Sequence, residues 1–388
     1  MSNTLTGLIQ TIYQARNRVS RERIGFIGAV TKNSEAEAAA LNETIRISIA
    51  DAVTSEADNT PAVAPPDTGD VTGNSVDMTI SSSKHIPVRF SGEEVRGLRN
   101  TGNYEDFISQ RFQQAFRRLD NLVEIDIAAT YKYASRGTGT PGTTPFNTAG
   151  TVSDFANVLR ILDDNGCPAD GLALVLSNAA WQNLRGKQSN FFKVNEAGSA
   201  EMLRDAAMAK AFGFNLFQSG NVKTHTPGTT TDATLTSTDY AVGSTSLTLA
   251  STGTGTIVEG DMVNIAGQNN GIYYGVRSGD ASVADGGTVV LNNPGLTIAQ
   301  TSNTQVIAPA ATAWSANLAF HPSAIQLITR PPAMGDDLAV GKEMVFDEVS
   351  GITYEVAEYA GFGQTTFHVR LAWGVKAIKQ EHIAVLFG

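Results

Sequence analysis

Several residue patterns in the chain match the spacing of known chemistry, and each sits in the wrong surroundings. Gly137, Gly139 and Gly142 spell GxGxxG. A phosphate cradle of that form needs a strand, a tight turn and a helix N-terminus in that order. Here the glycines follow a long helical pattern, with Pro141 among them. Ser81 and Lys84 form an SxxK, which in penicillin-binding proteins opens a helix and is accompanied by SDN and KTG. Here it falls between strand-like runs without those partners. His85, His225, His321, His368 and His382 are scattered, with none at i, i+3 or i+4, so no single helix offers two imidazoles to a metal. His321 precedes Pro322 and reads as structural. Cys167 is the one cysteine, which excludes a disulfide framework and a Cys-based zinc site. It lies in an Asn165-Gly166-Cys167-Pro168 turn and reads as a filler. Asn42-Glu43-Thr44 is a glycosylation sequon in form only. No catalytic, cofactor-binding or metal-binding residue is assigned.

Composition narrows the classes further. The 388 residues carry 28 Lys+Arg against 38 Asp+Glu, a formal charge of -10. A dedicated nucleic-acid binder neutralises phosphates with a basic surface, so that class is disfavoured. Hydrophobic residues make up 41%, enough for a real core, while charged residues are only 17%. That is below the roughly 25% of an average soluble domain. A surface rich in Thr, Ser, Ala, Asn and Gly suits extensive contact with further copies of a protein. No apolar run approaches the roughly 18 residues of a membrane span. Arg16, Arg18, Arg21, Glu22 and Arg23 interrupt residues 1–30, so a signal peptide is not expected there.

The elements follow a definite order. Residues 1–36 read as an arm: Leu5, Leu8, Ile9, Ile12 and Tyr13 at helical spacing, then Arg16, Arg18, Arg21 and Arg23, then an apolar patch from Ile24 to Val30. The arm is either an amphipathic helix packed on the body or a docking element for an acidic partner. Ile45, Ile47 and Ile49 alternate with polar residues, as do Val76, Met78 and Ile80, then Ile86, Val88 and Phe90. Between the first two runs lies a Pro-, Gly-, Thr- and Asp-rich tip, so residues 37–95 read as a long hairpin with a flanking strand. A two-stranded hairpin is marginal alone, and something outside its own chain is expected to cover it. Ile108, Phe112, Ala115, Phe116, Leu119, Leu122, Val123 and Ile127 mark one face of a helix from Asn103 to about Ala134. Arg111, Gln114, Arg118, Asn121 and Glu124 fall largely off that face. Asn103 is its expected cap. At ~1.5 Å per residue the rod is about 45 Å long, and residues 96–150 hold it with a Gly/Thr/Pro linker from Gly137 to Gly150.

Residues 151–223 read as α/β. Helices are expected at Ser153–Asp164, Asn178–Gly186 and Ser199–Phe212, and strands at Leu172–Ser177 and Asn215–Gln218. Residues 224–312 change to short β runs with close turns, an inserted all-β unit. Residues 313–341 return to α/β character, and 342–388 are closing strands with a turn at Ser350-Gly351. The fold class is α+β.

This order resembles the major capsid proteins of tailed bacteriophages with the Hong Kong 97-like fold: N-arm, E-loop, spine helix of the P-domain, then A-domain. The insert resembles the I-domain of the branch typified by the coat protein of the short-tailed Salmonella phage. The phrases TLTGLI (4–9), FIGAV (26–30), EGDMVNIAG (259–267), LAFHPSAI (318–325) and RLAWGVKA (370–377) are similar to that branch. The resemblance implies a structural protein, not an enzyme, that needs no cofactor. Its copies would assemble as pentamers and hexamers into an icosahedral procapsid, with a scaffolding protein and a portal protein as partners. Double-stranded DNA would be enclosed without sequence-specific binding and without a membrane. Assembly would occur in the host cytoplasm, and the protein would reside in the virion. Alternatives are an encapsulin-type shell, whose members generally lack such an insert, and an α/β enzyme with a β-rich appendage.

Two contacts are expected on this basis. Asp51, Glu56, Asp58, Asp67, Asp70 and Asp77 make the E-loop tip acidic, with no basic residue among them. They either keep an exposed loop soluble or meet a basic strip of Arg111, Arg117 and Arg118 on a neighbouring copy, with Arg96 and Arg99 just before it. Arg16, Arg18, Arg21 and Arg23 would meet a scaffold or a neighbour. The Hong Kong 97 type member joins an E-loop lysine to a neighbour's asparagine. Here residues 51–77 contain no Lys, and Lys84 lies down the returning strand.

Overall fold

The computed structural model describes residues 22–34, 37–49, 74–100, 102, 104–187, 210–236, 238–268, 271–300, 306–334 and 338–388. One long helix, Tyr104–Ala128, continues as a 3-10 turn, Ala129–Tyr133. Phe116, Leu119, Val123 and Ile127 recur at three- and four-residue spacing and are buried. Asn103, the expected cap, lies outside the described residues. Glu124, placed off the apolar face by the sequence pattern, is wholly buried.

The helix lies on a sheet whose strand order is Thr31–Ser34, Ile325–Arg330, Gln364–Ala377, Ile352–Gly361, Gly341–Asp347. Ser82–Ser91 runs antiparallel along the other side of Gln364–Ala377, with Phe90 opposite Thr365 and Ser82 opposite Trp373. Alternate residues of these strands face the helix, and Val88, Phe90, Val369, Leu371 and Trp373 share one core with it. Two polar contacts set the helix's height on the sheet. Trp373 Nε1 donates to Asp126 at 2.7 Å, and the Tyr354 hydroxyl donates to the buried Asp120.

A second sheet runs Ser246–Leu249, Gly287–Leu291, Ile272–Ser278, Arg136–Gly139, Ile383–Phe387, Trp314–Phe320, Ala173–Ser177, Phe214–Ser219, Lys210–Ala211. Helices Ser153–Asp164 and Asn178–Lys187 pack on it through Phe155, Val158, Ile161, Leu162, Trp181 and Leu184. Two expectations change here. Gly137 belongs to a strand rather than a linker, pairing with Tyr273 on one side and Val385 on the other. Gly139 has φ +136, and a Cβ there would lie 2.0 Å from the Phe387 carbonyl oxygen, so glycine is required by strand packing. The expected helix Ser199–Phe212 lies mostly outside the described residues. Its end is a strand, Lys210–Ala211, which turns at Phe212 into Phe214–Ser219.

The insert has its own core of Leu247, Leu249, Val263, Ile265, Val276, Val289, Leu291 and Ile307 among others. Its strand Ile272–Ser278 pairs with Arg136–Gly139, so the insert's sheet runs on into that of the body. The early hairpin pairs Thr44–Ile49 with Asn74–Thr79, with Ile45 opposite Met78, and residues 50–73 between them lie outside the described residues. Its root is covered by its own chain: Met78 and Ile80 are buried against Ile328 and Ala372. A further helix spans Gly92–Asn100, in the stretch that the sequence pattern divides between hairpin and long helix.

Candidate assembly surfaces

The arm enters the body beside the long helix. Arg117 Nε donates to Glu22 at 2.6 Å, its second nitrogen reaches the other carboxylate oxygen, and Asn121 donates to Glu22 at 2.8 Å. These charge-assisted bonds hold the Glu22 carboxyl down at about 2. One turn along the helix, Glu124 accepts from the Ile27 amide at 2.8 Å and from the Ser219 hydroxyl at 2.8 Å. Burial pushes the Glu124 carboxyl up, and its hydrogen bonds oppose that shift in part. Arg23 is exposed, while its carbonyl accepts from the Gly220 amide at 3.0 Å. Arg16, Arg18 and Arg21 lie outside the described residues.

The expected basic strip is only partly free. Arg117 is engaged by Glu22 within its own chain. Arg111 stacks on the Phe107 ring, 5.2 Å from its centre, and Arg118 is exposed. With Arg89 of the edge strand, these two line a groove of about 280 Å³ floored by Val88, Phe90, Leu98, Phe107 and Ala115. Glu94 is the acidic residue in its lining. Arg96 and Arg99 are exposed on the short helix nearby.

Of the acidic residues, Asp51, Glu56, Asp58, Asp67 and Asp70 lie outside the described residues. Asp77 is answered within its own hairpin by Arg46, with bonds of 2.8 and 3.3 Å. That pairing lowers the Asp77 carboxyl from its ordinary value. The structure therefore removes Asp77 and Arg117 from the set of unpaired groups.

A surface that the sequence did not suggest lies at the opposite edge of the helix-bearing sheet. Leu338, Val340, Phe346 and Val349 are exposed beside or on the edge strand Gly341–Asp347, and Phe362 stands free at the tip of a Gly361-Phe362-Gly363 turn. Between that edge strand and the long helix opens a groove of about 740 Å³, lined by Phe112, Phe116, Val345, Phe346, Val349 and Phe367 among others. An exposed, unpaired edge strand flanked by apolar side chains is a candidate surface for pairing with another chain. No strong local pattern announces it, because single exposed apolar residues are ordinary in any sequence.

The motif residues fall into structural roles. Cys167 is buried, and its thiol is pushed up to about 11 by burial and neighbouring carboxylates. His321 Nδ1 accepts from the Ser323 amide at 3.3 Å at the start of a 3-10 turn. His85 and His368 stack with ring centres 4.6 Å apart. Parallel rings aim their nitrogen lone pairs side by side rather than at a common point. Among the described residues, no group of three or more His, Cys, Asp or Glu is placed to hold a metal ion, and no helix is long and apolar enough to cross a membrane.

No protein-family model matches the chain, and no curated protein matches it. Similar solved structures include one described as Mycobacterium phage Che8, with 14% identity, TM-score 0.46, and coverage of 95% of this chain and 93% of that one. Another is the capsid structure of the cyanophage P-SCSP1u, with 10% identity, TM-score 0.47, and coverage of 98% and 93%. A virus-like particle from Pyrococcus furiosus follows with 9% identity, TM-score 0.40, and coverage of 93% and 92%. These are likenesses of 9 to 14% identity over most of each chain.

Proposed function

We propose that the chain is a major capsid protein of the Hong Kong 97-like type, self-assembling into an icosahedral shell around double-stranded DNA. The observation that carries this reading is the relation of three parts. A 25-residue helix lies across a sheet. An N-terminal segment is strapped to the helix through Glu22 and Glu124. A two-stranded hairpin is rooted on the same sheet, where Met78 and Ile80 are buried against Ile328 and Ala372. A free-standing enzyme has little use for such projections, whereas a shell subunit reaches its neighbours with them. Residues 224–312 then correspond to the I-domain of that branch, a reading supported by their separate core.

Pentamers and hexamers of the chain, a scaffolding protein and a portal protein are the partners of this reading. The net charge of -10 suits a wall that encloses DNA without gripping it. Within the shell, the acidic segment carrying Asp51, Glu56, Asp58, Asp67 and Asp70 of one copy docks at the groove of Arg89, Arg111 and Arg118 on another. Arg16, Arg18, Arg21 and Arg23 face a scaffold or neighbour. The experiment is size-exclusion chromatography with electron microscopy of the expressed chain, alone and with its candidate scaffold. Megadalton particles that carry nuclease-protected DNA when made in infected cells support the reading. Shells holding protein cargo instead make it an encapsulin-type compartment, and a small oligomer in every condition overturns it.

A further inference from the structure

The insert meets the end of the long helix through a buried chain of polar side chains. Tyr131, in the 3-10 turn that ends the helix, places its hydroxyl 2.8 Å from His225 Nδ1. His225 Nε2 lies 2.7 Å from Asp261 Oδ1. Asp261 has no exposure, and His225 and Tyr131 have 5% and 7%. With a neutral His225, Nε2–H donates to the acceptor-only Asp261 carboxylate and Nδ1 accepts from the Tyr131 O–H. The remaining capacity of Asp261 is filled by the Val258 amide at 2.8 Å and the Gly228 amide at 3.1 and 3.2 Å.

These three residues belong to three different parts. Tyr131 ends the long helix, and Asp261 opens an inner strand of the insert. His225 stands where the chain enters the insert, paired with Trp314 where it has just left. The same junction is tight elsewhere. The Gly275 amide donates to the Ser135 carbonyl at 3.0 Å, and a Cβ on Gly275 would lie 2.1 Å from the Ala134 carbonyl oxygen. Asn292 Nδ2 donates to the Lys132 and Ala134 carbonyls, both at 2.8 Å. The insert thus grips the 3-10 turn itself, by backbone and side chain together.

We propose that the Tyr131–His225–Asp261 relay is a mechanical coupling that makes the insert follow the last turn of the long helix. Most of the insert's core is its own, although Met262 and Ala310 also pack into the core of the helix, so the insert is held to the body by shared sheet pairing, these contacts and a relay whose own polar atoms are all partnered. A half-satisfied buried network is costly, so the joint resists partial states and passes a displacement of the helix end on to the insert. In a shell subunit, a change of the long helix would therefore reorient the insert. The coupling itself does not depend on the shell reading, because it is a property of the single chain.

The test is native-state hydrogen exchange on the full chain, with each substitution read at the far side of the joint. Tyr131→Phe removes one oxygen, and it should speed exchange about tenfold at Val258 and Gly228, which bond Asp261 and not Tyr131. Asp261→Asn should do the same at the body-side amides of Ala134 and Ser135, which bond the Tyr131 and Ile383 carbonyls, since coupling is reciprocal. Combining the two should add little beyond the larger single effect. Leu247, Leu249, Val289 and Leu291 in the insert core should keep their protection throughout. Loss confined to each variant's own side of the joint overturns the proposal. Equal loss across the insert core does so too, because the insert would then be part of one cooperative unit. If Asp261→Asn fails to fold, Tyr131→Phe read at Gly228 decides alone.

Discussion

Glu124 accepts the backbone N–H of Ile27 at 2.8 Å across 97 positions of chain, and neither residue has any exposure to solvent. The carboxylate also takes the Ser219 hydroxyl at 2.8 Å, so one helix side chain joins the N-terminal segment to the second sheet. Replacing it with Leu leaves a buried amide and a buried hydroxyl without their acceptor, at about 1–3 kcal/mol each. Glu124→Gln keeps an acceptor for Ile27 and offers a donor to Ser219, while removing a costly buried charge. Glu124→Leu should unfold at lower urea and be cleaved faster by trypsin after Arg23 and Lys32. Glu124→Gln should stay close to the parent in both measurements.

Glu22 and Glu124 lie on the same strap and respond to acid in opposite senses. The Glu22 carboxyl is held down at about 2 by Arg117 and Asn121. Its stabilisation is complete above about pH 4.5 and is lost as pH falls through that window towards about 2. Glu124 is shifted upward by burial, so its contribution is greatest below the ordinary carboxylate value and shrinks as pH rises through the raised one. Glu22 is 37% exposed at its side chain, so water moderates its effect. Stability measured between pH 6 and pH 2 should show the parent above Glu22→Gln at the upper end and the two curves converging at the lower. Parallel curves would remove Glu22 from the strap.

Much of this architecture is legible in the sequence, because long periodic segments declare themselves. The eight-residue apolar face from Ile108 to Ile127 and the alternation of Ile45/Ile47 and Val76/Met78 each need only one dominant signal. The misses come from places where tertiary contacts override local pattern. Arg136–Gly139 is rich in glycine and reads as linker, yet it is a strand because the Phe387 backbone fills the space a side chain would need. Glu124 reads as solvent-facing, since nothing local announces that Ile27 and Ser219 come to it. The helix Gly92–Asn100 was legible in principle. Ser91 and Glu94 form a reciprocal cap, with the Ser91 amide 2.9 Å from Glu94 and the Glu94 amide 3.3 Å from the Ser91 hydroxyl. Of the candidate contact residues, Arg117 and Asp77 looked free because their partners, Glu22 and Arg46, lie on other elements.

Shells of this chain should be held without covalent links between copies. An isopeptide bond needs an amine at the reaching end of the hairpin, and residues 51–77 contain no Lys. Lys84 is exposed but lies on the strand Ser82–Ser91, paired opposite Leu371 in the body of the sheet. Boiled particles should run as monomers on a denaturing gel; a ladder of multimers would refute this.

The groove of Arg89, Arg111 and Arg118 should be an electrostatic receiver for the acidic segment of another copy. Charge reversal belongs at Arg111 and Arg118, because reversing Arg117 would break its pair with Glu22 and disturb the subunit itself. Each exposed pair contributes only about 0–1 kcal/mol. A closed shell repeats the contact around its whole surface, so a small term per copy still moves the assembly equilibrium. Screening shortens the range of such pairs to about 3 Å at 1 M salt, so assembly of the parent should weaken as salt rises. Arg111→Glu with Arg118→Glu should assemble poorly at low salt while its circular dichroism matches the parent. A second variant with Asp67→Lys and Asp70→Lys should be similarly impaired alone, and mixing the two should restore part of the yield by re-pairing opposite charges across copies. Normal assembly of the first variant at low and high salt alike would leave the acidic segment only the task of keeping a loop soluble.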